Sequence, residues 1–206
     1  WITTTASTAL DSRDNIKQMV TTCKAAGINH LFVVVYNNAR TTYPSSVMNN
    51  LIGKPILERF SGRDPLQECI EEGHAAGLKV HAWFEYGFSS SYSASGGAIV
   101  GAKPQWAARD LAGNLVVKNG FDWLNGIHPE VQQFIIELFK EVVSNYAIDG
   151  VQGDDHLPAM PSTGGYDNYT VNLYKSENNG ANPPTTSTDT AWLRSEEHTS
   201  ELQSPY

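Results

Sequence analysis

The segment Asp149-Gly-Val-Gln-Gly-Asp154-Asp155-His156 gathers three carboxylates and an imidazole around a short apolar run. Acids placed at the carboxyl end of a strand in a β/α protein can act as general acids, bases or nucleophiles, because such folds leave that end open to a ligand. A solvated turn with one Asp capping the next helix is the plainer reading. It accounts for a single acid better than for three beside a histidine.

The elements that must position these groups repeat one design. Ile16, Met19, Val20 and Cys23 recur at helical spacing, Gly27 stops that helix, and residues 30–36 (HLFVVVY) read as a buried strand. Asp64-Pro65 starts a second helix with an N-cap and a proline in the first turn; Leu66, Cys69 and Ile70 form its apolar stripe. Gly77 ends it, and residues 79–84 (KVHAWF) form the next strand. Lys24-Ala-Ala-Gly-Ile and His74-Ala-Ala-Gly-Leu are a weak internal repeat of this unit. Pro129 opens the longest helix, with Val131, Phe134, Ile135, Leu138, Phe139, Val142 and Tyr146 on one stripe, and that helix leads to the strand at 149–153. With residues 1–5 as a first strand the order is β-α-β-α-β-α-β, which predicts an α/β protein with a parallel sheet buried on both faces. Two insertions, 37–63 and 87–128, follow carboxyl ends of strands, and a helix is predicted at 166–176.

Strand alternation assigns the side chains. Gln152 and Asp154 share the inward face, with Val151 and Asp155 on the other. On the preceding strand His81, Trp83 and Glu85 face inward, and Val80, Ala82 and Phe84 face the helices. Tyr36 ends its strand in the equivalent place. Glu85 and Asp154 thus stand at neighbouring strand ends. Paired carboxylates about 5–5.5 Å apart perform retaining glycoside hydrolysis, and wider pairs inversion. Glu85 has a second reading, as a structural partner of His81; His81 itself is a satisfied core histidine or a substrate-positioning group, and His74 is structural. Trp83, Trp123, Tyr43 and Trp106 offer flat faces on which sugar rings stack, or they simply fill the core. Asn125 and His128 either line the same mouth or cap the long helix. Asp155 supports Asp154 or caps the next segment, with His156 a hydrogen-bonding neighbour.

The bulk numbers narrow the partners. A chain of 206 residues holds one sizeable core, and its net charge of −8 without a basic cluster argues against a nucleic-acid partner. No apolar run reaches the ~20 residues of a membrane span. Cys23 and Cys69 fall on apolar helix faces and read as free thiols. There is no phosphate-binding glycine loop, nucleophile-elbow serine or zinc spacing, so neither cofactor nor metal is called for. Residues 194–206 have no apolar period and resemble a translated sequencing adapter. The native domain, 1–193, is therefore expected to be a partial one, with 194–206 a non-native tail.

Trp1-Ile-Thr, Phe32-Val-Val-Val-Tyr36, Tyr43-Pro-Ser45, Gly62-Arg-Asp-Pro-Leu66, His81-Ala-Trp-Phe84, His128-Pro-Glu-Val131 and Asp149-Gly-Val-Gln-Gly-Asp-Asp155 together resemble a bacterial glycosyl-hydrolase-like family, the family 10 glycosyl hydrolase-like TIM barrels, distant relatives of the α-amylase superfamily. The resemblance implies the amino-terminal half of a (β/α)₈ barrel, truncated after about the fourth β/α unit. In the amylase relatives the pattern Asp-Gly-x-Arg-x-Asp carries the nucleophile at its last position, which falls on Asp154; its arginine is Gln152 here. Their general acid sits on the fifth strand, past residue 206. The expected function is hydrolysis of O-glycosyl bonds in a polysaccharide or cell-wall glycan by a retaining mechanism, with the fragment inactive alone. Asp154 and Asp155 are the catalytic candidates; Tyr36, His81, Trp83, Glu85, Trp123, Asn125, Gln152 and His156 are the substrate-binding ones. A non-catalytic carbohydrate-binding barrel and a metal-dependent hydrolase using Asp154, Asp155 and His156 are the alternatives. Family habit favours export.

Overall fold

The helices begin and end where their caps dictate. Ser12, Ser45 and Asp64 each accept a hydrogen bond from a backbone N–H in the following first turn, at 3.0, 3.1 and 3.0 Å. Gly27 and Gly77 take the left-handed conformation that turns the chain from helix to strand, with φ of 76° and 74°. The internal repeat is therefore a repeated helix-stop-strand joint.

The computed structural model describes residues 1–153, 157 and 161–186. In chain order the elements are α1 (Arg13–Ala25), β1 (His30–Asn37), β2 (Arg40–Thr41), α2 (Ser46–Ile52), α3 (Pro65–Ala75), β3 (Lys79–Phe84), β4 (Ser89–Tyr92), α4 (Gly97–Ala102), β5 (Val117–Lys118), β6 (Phe121–Trp123), α5 (Pro129–Asn145), β7 (Gly150–Gly153) and α6 (Asn168–Glu177). Single 3-10 turns lie at Glu58–Phe60 and Pro104–Trp106. They form two compact units, one of Trp1–Gly87 with Phe134–Leu157, the other of Phe88–Gln133 and Pro158–Tyr206. The presumed foreign tail, 194–206, lies outside the described residues.

The first unit holds a sheet in the order β2-β1-β3-β7. β1, β3 and β7 run parallel as expected, and β2 is an antiparallel hairpin partner at the end of β1. The expected first strand is reduced to one parallel bridge, Ile2 to Val33, because only Ile2 exchanges backbone bonds with β1. Val80, Ala82 and Phe84 are buried on the helix side, where the Phe84 ring stacks on Phe139 of α5 with centroids 3.8 Å apart. Val151 sits on the side assigned to it, yet it remains 42% exposed. Both cysteines are free thiols, Cys69 buried and Cys23 half-buried; burial pushes the Cys69 thiol well up.

Glu141 of α5 clasps α2. Its carboxylate accepts from Tyr43 Oη (3.0 Å), Ser45 Oγ (2.5 Å) and the backbone N–H groups of Ser46 (2.6 Å) and Val47 (3.2 Å). The charge sits on the first turn of α2, where a helix leaves N–H groups unpaired. Tyr43, considered as a sugar platform, is fully buried in this arrangement.

Asp149 does not belong to the mouth. It precedes β7 and accepts from Lys79 Nζ (2.7 Å), the Val80 backbone N–H (2.8 Å) and His74 Nε2 (2.8 Å). Lys79 and the Val80 amide hold its carboxyl far below the usual carboxylate range. A depressed folded pKa contributes stability that is complete above the unfolded value and lost as pH falls through the folded one. Asp149→Asn is therefore expected to cost about 1 kcal/mol near neutrality, the size of a solvent-screened ion pair with one charged hydrogen bond. Urea melts at pH 7 and pH 3 check it: the gap between variant and parent must shrink at the lower pH.

The second unit is built on an antiparallel sheet, β4-β6-β5. Its buried Asp122 accepts from Ser91 Oγ (2.5 Å) and the backbone N–H of Gly96 (2.9 Å) and Ala94 (3.2 Å), which fixes the turn after β4. Asp110-Leu-Ala-Gly-Asn114 forms a tight turn, and α6 confirms the predicted last helix with a shift of about two residues at its start.

Candidate active site

The carboxyl ends of β1 and β3 carry a polar group of side chains, and a bulge decides its membership. Leu31 and Val33 pair with Val80 and Ala82 on the helix side, and Phe32 and Val34 pair with His81 and Trp83 on the other. At Val35 the register slips, so Tyr36 pairs with Phe84. A bulge adds one residue and reverses the facing of those beyond it. Thr42 stabilises it, with Oγ1 donating to Val34 O (2.6 Å) and its backbone N–H donating to Val35 O (3.1 Å). Tyr36 consequently lies fully buried with its ring edge-on to Phe134 of α5, centroids 6.3 Å apart, and burial raises its hydroxyl pKa. The inward position expected for Tyr36 belongs instead to Asn37.

Asn37 Nδ2 donates to the carboxylate of Glu85, a residue only 7% exposed. The Glu85 backbone N–H donates to Tyr36 O at 2.9 Å, which locks the two strand ends together. Asn37 is thus a partner of Glu85, while the His81 ring nitrogen is bonded to His30. Trp83 lies one pleat below, half-buried, and pairs across the sheet with Gln152. Gln152 Oε1 accepts from Trp1 Nε1 at 2.9 Å, and its NH₂ is left without a partner among the described residues.

Two features distinguish this end of the sheet. Asn37 Oδ1, Asn38 Oδ1 and Trp83 Nε1 are buried yet lack hydrogen-bond partners among the described residues. Each such atom costs about 1–3 kcal/mol unless something polar occupies the space before it. Positive φ angles fall at the same place: Asn38 and Ala39, at 50° and 55°, form the two-residue turn of the β1–β2 hairpin, and Tyr86 holds 63°. Two acceptors, an indole donor beside a flat ring and a carboxylate are the groups that bind hydroxyls and stack on a sugar face.

His81 is inward-facing but sits deeper. Its ring stacks on Phe32 (4.6 Å) and His30 (5.0 Å), and His81 Nε2 stands 2.8 Å from His30 Nδ1, one donating to the other. Burial, then the facing His30, lowers its pKa. Its ring nitrogen is engaged below the mouth, in the stack that also carries Trp1 on Phe32 at 5.1 Å.

Asn125 and Trp123 belong to the second unit. Asn125 is fully buried and saturated: Nδ2 donates to Asp167 Oδ2 (3.0 Å) and Thr170 Oγ1 (2.9 Å), and Oδ1 accepts from the Ile127 backbone N–H (2.9 Å). It secures the N-cap of α6, the structural alternative weighed for it having been a cap on α5. Trp123 is 4% exposed and lies inside the sheet of that unit, so its faces are packed rather than presented. Trp106, the other candidate platform there, donates Nε1–H to Glu130 at 2.8 Å. Asp154, Asp155 and His156 lie outside the described residues. Asp154 follows Gly153 in sequence as Glu85 follows Phe84, and Gly153 and Phe84 are paired.

The model of the glycosyl hydrolase-like 10 family matches residues 1–202. The chain belongs to that family. Within reach of it, the glycosyl hydrolase DigH of Escherichia coli K12 is 33% identical over 184 residues, covering 80% of this chain and 38% of the relative. The glycosyl hydrolase YngK of Bacillus subtilis is 31% identical over 139 residues, 64% of this chain and 25% of its own length. The chain thus spans well under half of either curated relative. Among solved structures, the α-L-fucosidase isoenzyme 2 from Paenibacillus thiaminolyticus superposes with a TM-score of 0.66 at 22% identity, over 91% of this chain and 25% of that one. The fold is of the TIM-barrel type found in glycoside hydrolases, and the chain is a relative of glycosidases.

Proposed function

We propose that the intact protein hydrolyses O-glycosyl bonds of a polysaccharide by a retaining route, and that the described parallel strands are the first staves of an eight-stranded barrel. The observation that carries this reading is the group of orphaned buried polar atoms around Glu85, Asn37, Asn38 and Trp83, at the strand ends where such barrels bind substrate. Asp154 is the nucleophile. Its carboxylate attacks the anomeric carbon as the bond to the leaving oxygen breaks, and that oxygen takes a proton from an acid on a later strand. Water then displaces the carboxylate and regenerates it. Glu85 and Asn37 hold substrate hydroxyls, Trp83 offers its face and indole N–H, and Asp155 and His156 tune the nucleophile.

Glu85→Gln in the protein extended to its curated relatives' length tests the binding floor. Loss of one charged hydrogen bond to a hydroxyl is expected to lower kcat/KM about ten- to hundredfold, chiefly through KM. Unchanged kinetics on every glycan that the parent cleaves would remove Glu85 from the site. The 206-residue chain alone is expected to bind glycan without turnover; turnover by it would dispense with the later acid.

A further inference from the structure

The second unit contains a pocket of about 440 Å³ that the glycosidase reading leaves unused. Arg109, His128, Asp167, Asn168 and Tyr169 are among the residues that line it. The Tyr166 backbone N–H donates to Arg109 O at 3.0 Å, and Asp167 caps α6 while accepting from Asn125.

Its lining carries one cation, Arg109, and one acid, Asp167. The half-buried Arg109 makes no side-chain hydrogen bond or ion pair among the described residues. Both nearby acids are committed elsewhere. Asp110 accepts from the Asn114 backbone N–H (2.8 Å) and Asn114 Nδ2 (3.2 Å). Asp167 accepts from the Thr170 backbone N–H (3.1 Å), Thr170 Oγ1 (2.9 Å) and Asn125 Nδ2 (3.0 Å). His128 adds a donor: its Nδ1 accepts from the Glu130 backbone N–H at 3.2 Å, so the neutral ring carries its proton on Nε2. The ring itself lies 4.7 Å from that of Tyr169.

We infer that this pocket binds a carboxylate-bearing sugar residue of a glycan, with Arg109 gripping the carboxylate and the Tyr169 and His128 rings bordering the sugar. A planar guanidinium matches a carboxylate in two parallel hydrogen bonds, and aromatic rings with polar edges suit a pyranose. The volume fits a small ligand. The inference rests on the reading of this protein as glycan-active and adds a second, charge-selective site to it.

Calorimetric titration of the full chain with a neutral oligosaccharide carrying one hexuronate, and with its carboxyl-reduced counterpart, tests it. The acidic sugar is expected to bind at least tenfold more tightly, and Arg109→Gln to erase that difference while leaving affinity for the reduced sugar unchanged. Glu85→Gln must leave the acid-specific increment in place. Equal binding of the two sugars, or an increment that survives Arg109→Gln, overturns the inference while the glycosidase reading stands. Inorganic phosphate competing as well as the hexuronate makes this a general anion site and overturns it too. Acid-specific binding with no hydrolysis by the extended protein keeps the pocket and sinks the glycosidase reading instead.

Discussion

Asp154→Asn in the extended protein is expected to abolish glycan hydrolysis, by about a thousandfold or more, with glycan affinity nearly unchanged. Amide for carboxylate preserves size but cannot form the glycosyl ester, and a displaced nucleophile leaves only what binding and the acid contribute. The measurement is kcat on a cleaved polysaccharide beside equilibrium binding of the same glycan. In Asp154→Gly, exogenous azide should restore bond cleavage and give the glycosyl azide of inverted anomeric configuration, because a small anion can enter the space that the side chain vacates. A variant that hydrolyses normally eliminates Asp154 as nucleophile. A parent that binds every glycan and cleaves none returns the protein to the non-catalytic alternative, and loss of activity on chelation would point to the metal-dependent one.

The largest effect on stability is expected at Phe84. Its ring is 1% exposed, stacks on Phe139 and shares its register position with Tyr36 and Gly153. Phe84→Ala removes a buried ring and leaves a cavity, worth about 3–5 kcal/mol. Domains hold only about 5–15 kcal/mol in total, so the variant should melt ~10 °C or more below the parent. Trp83→Ala, one residue earlier and facing the other way, is the control. It should lose less stability in thermal melts and more glycan affinity; equal losses from the two would mean that β3 does not divide its faces as described.

Much of this was legible in the chain because helical stripes, caps and stop glycines act locally. Asp64-Pro65, Gly77 and the stripe of α5 predicted their elements, and the alternation in KVHAWF assigned both faces of β3 correctly. The strand HLFVVVY could not be read in that way. A run that is apolar on both faces has no alternation to betray a bulge, so the slip at Val35, and with it the exchange of Tyr36 for Asn37, was invisible. The signal that remained was Asn37-Asn38 itself, two poor strand formers where a strand should end. Asn125 was misplaced for another reason. Its partners Asp167 and Thr170 lie over forty residues away, and long-range polar satisfaction leaves no local trace. Asp149 shared a motif with Asp154 in sequence, but its carboxylate is taken up by Lys79, His74 and the Val80 amide before β7 begins.

The clasp on α2 makes that helix a dependent element. Seven residues are too few for a helix to sustain itself in water, and the carboxylate that completes its first turn comes from a segment almost a hundred residues later. The hairpin turn Asn38-Ala39 and the polar strand end before it are anchored through the same stretch of chain, by way of Thr41 and Thr42. Order around Asn37 and Glu85 is therefore borrowed: it exists to the extent that α5 is docked, and any event that loosens α5 withdraws it from a distance.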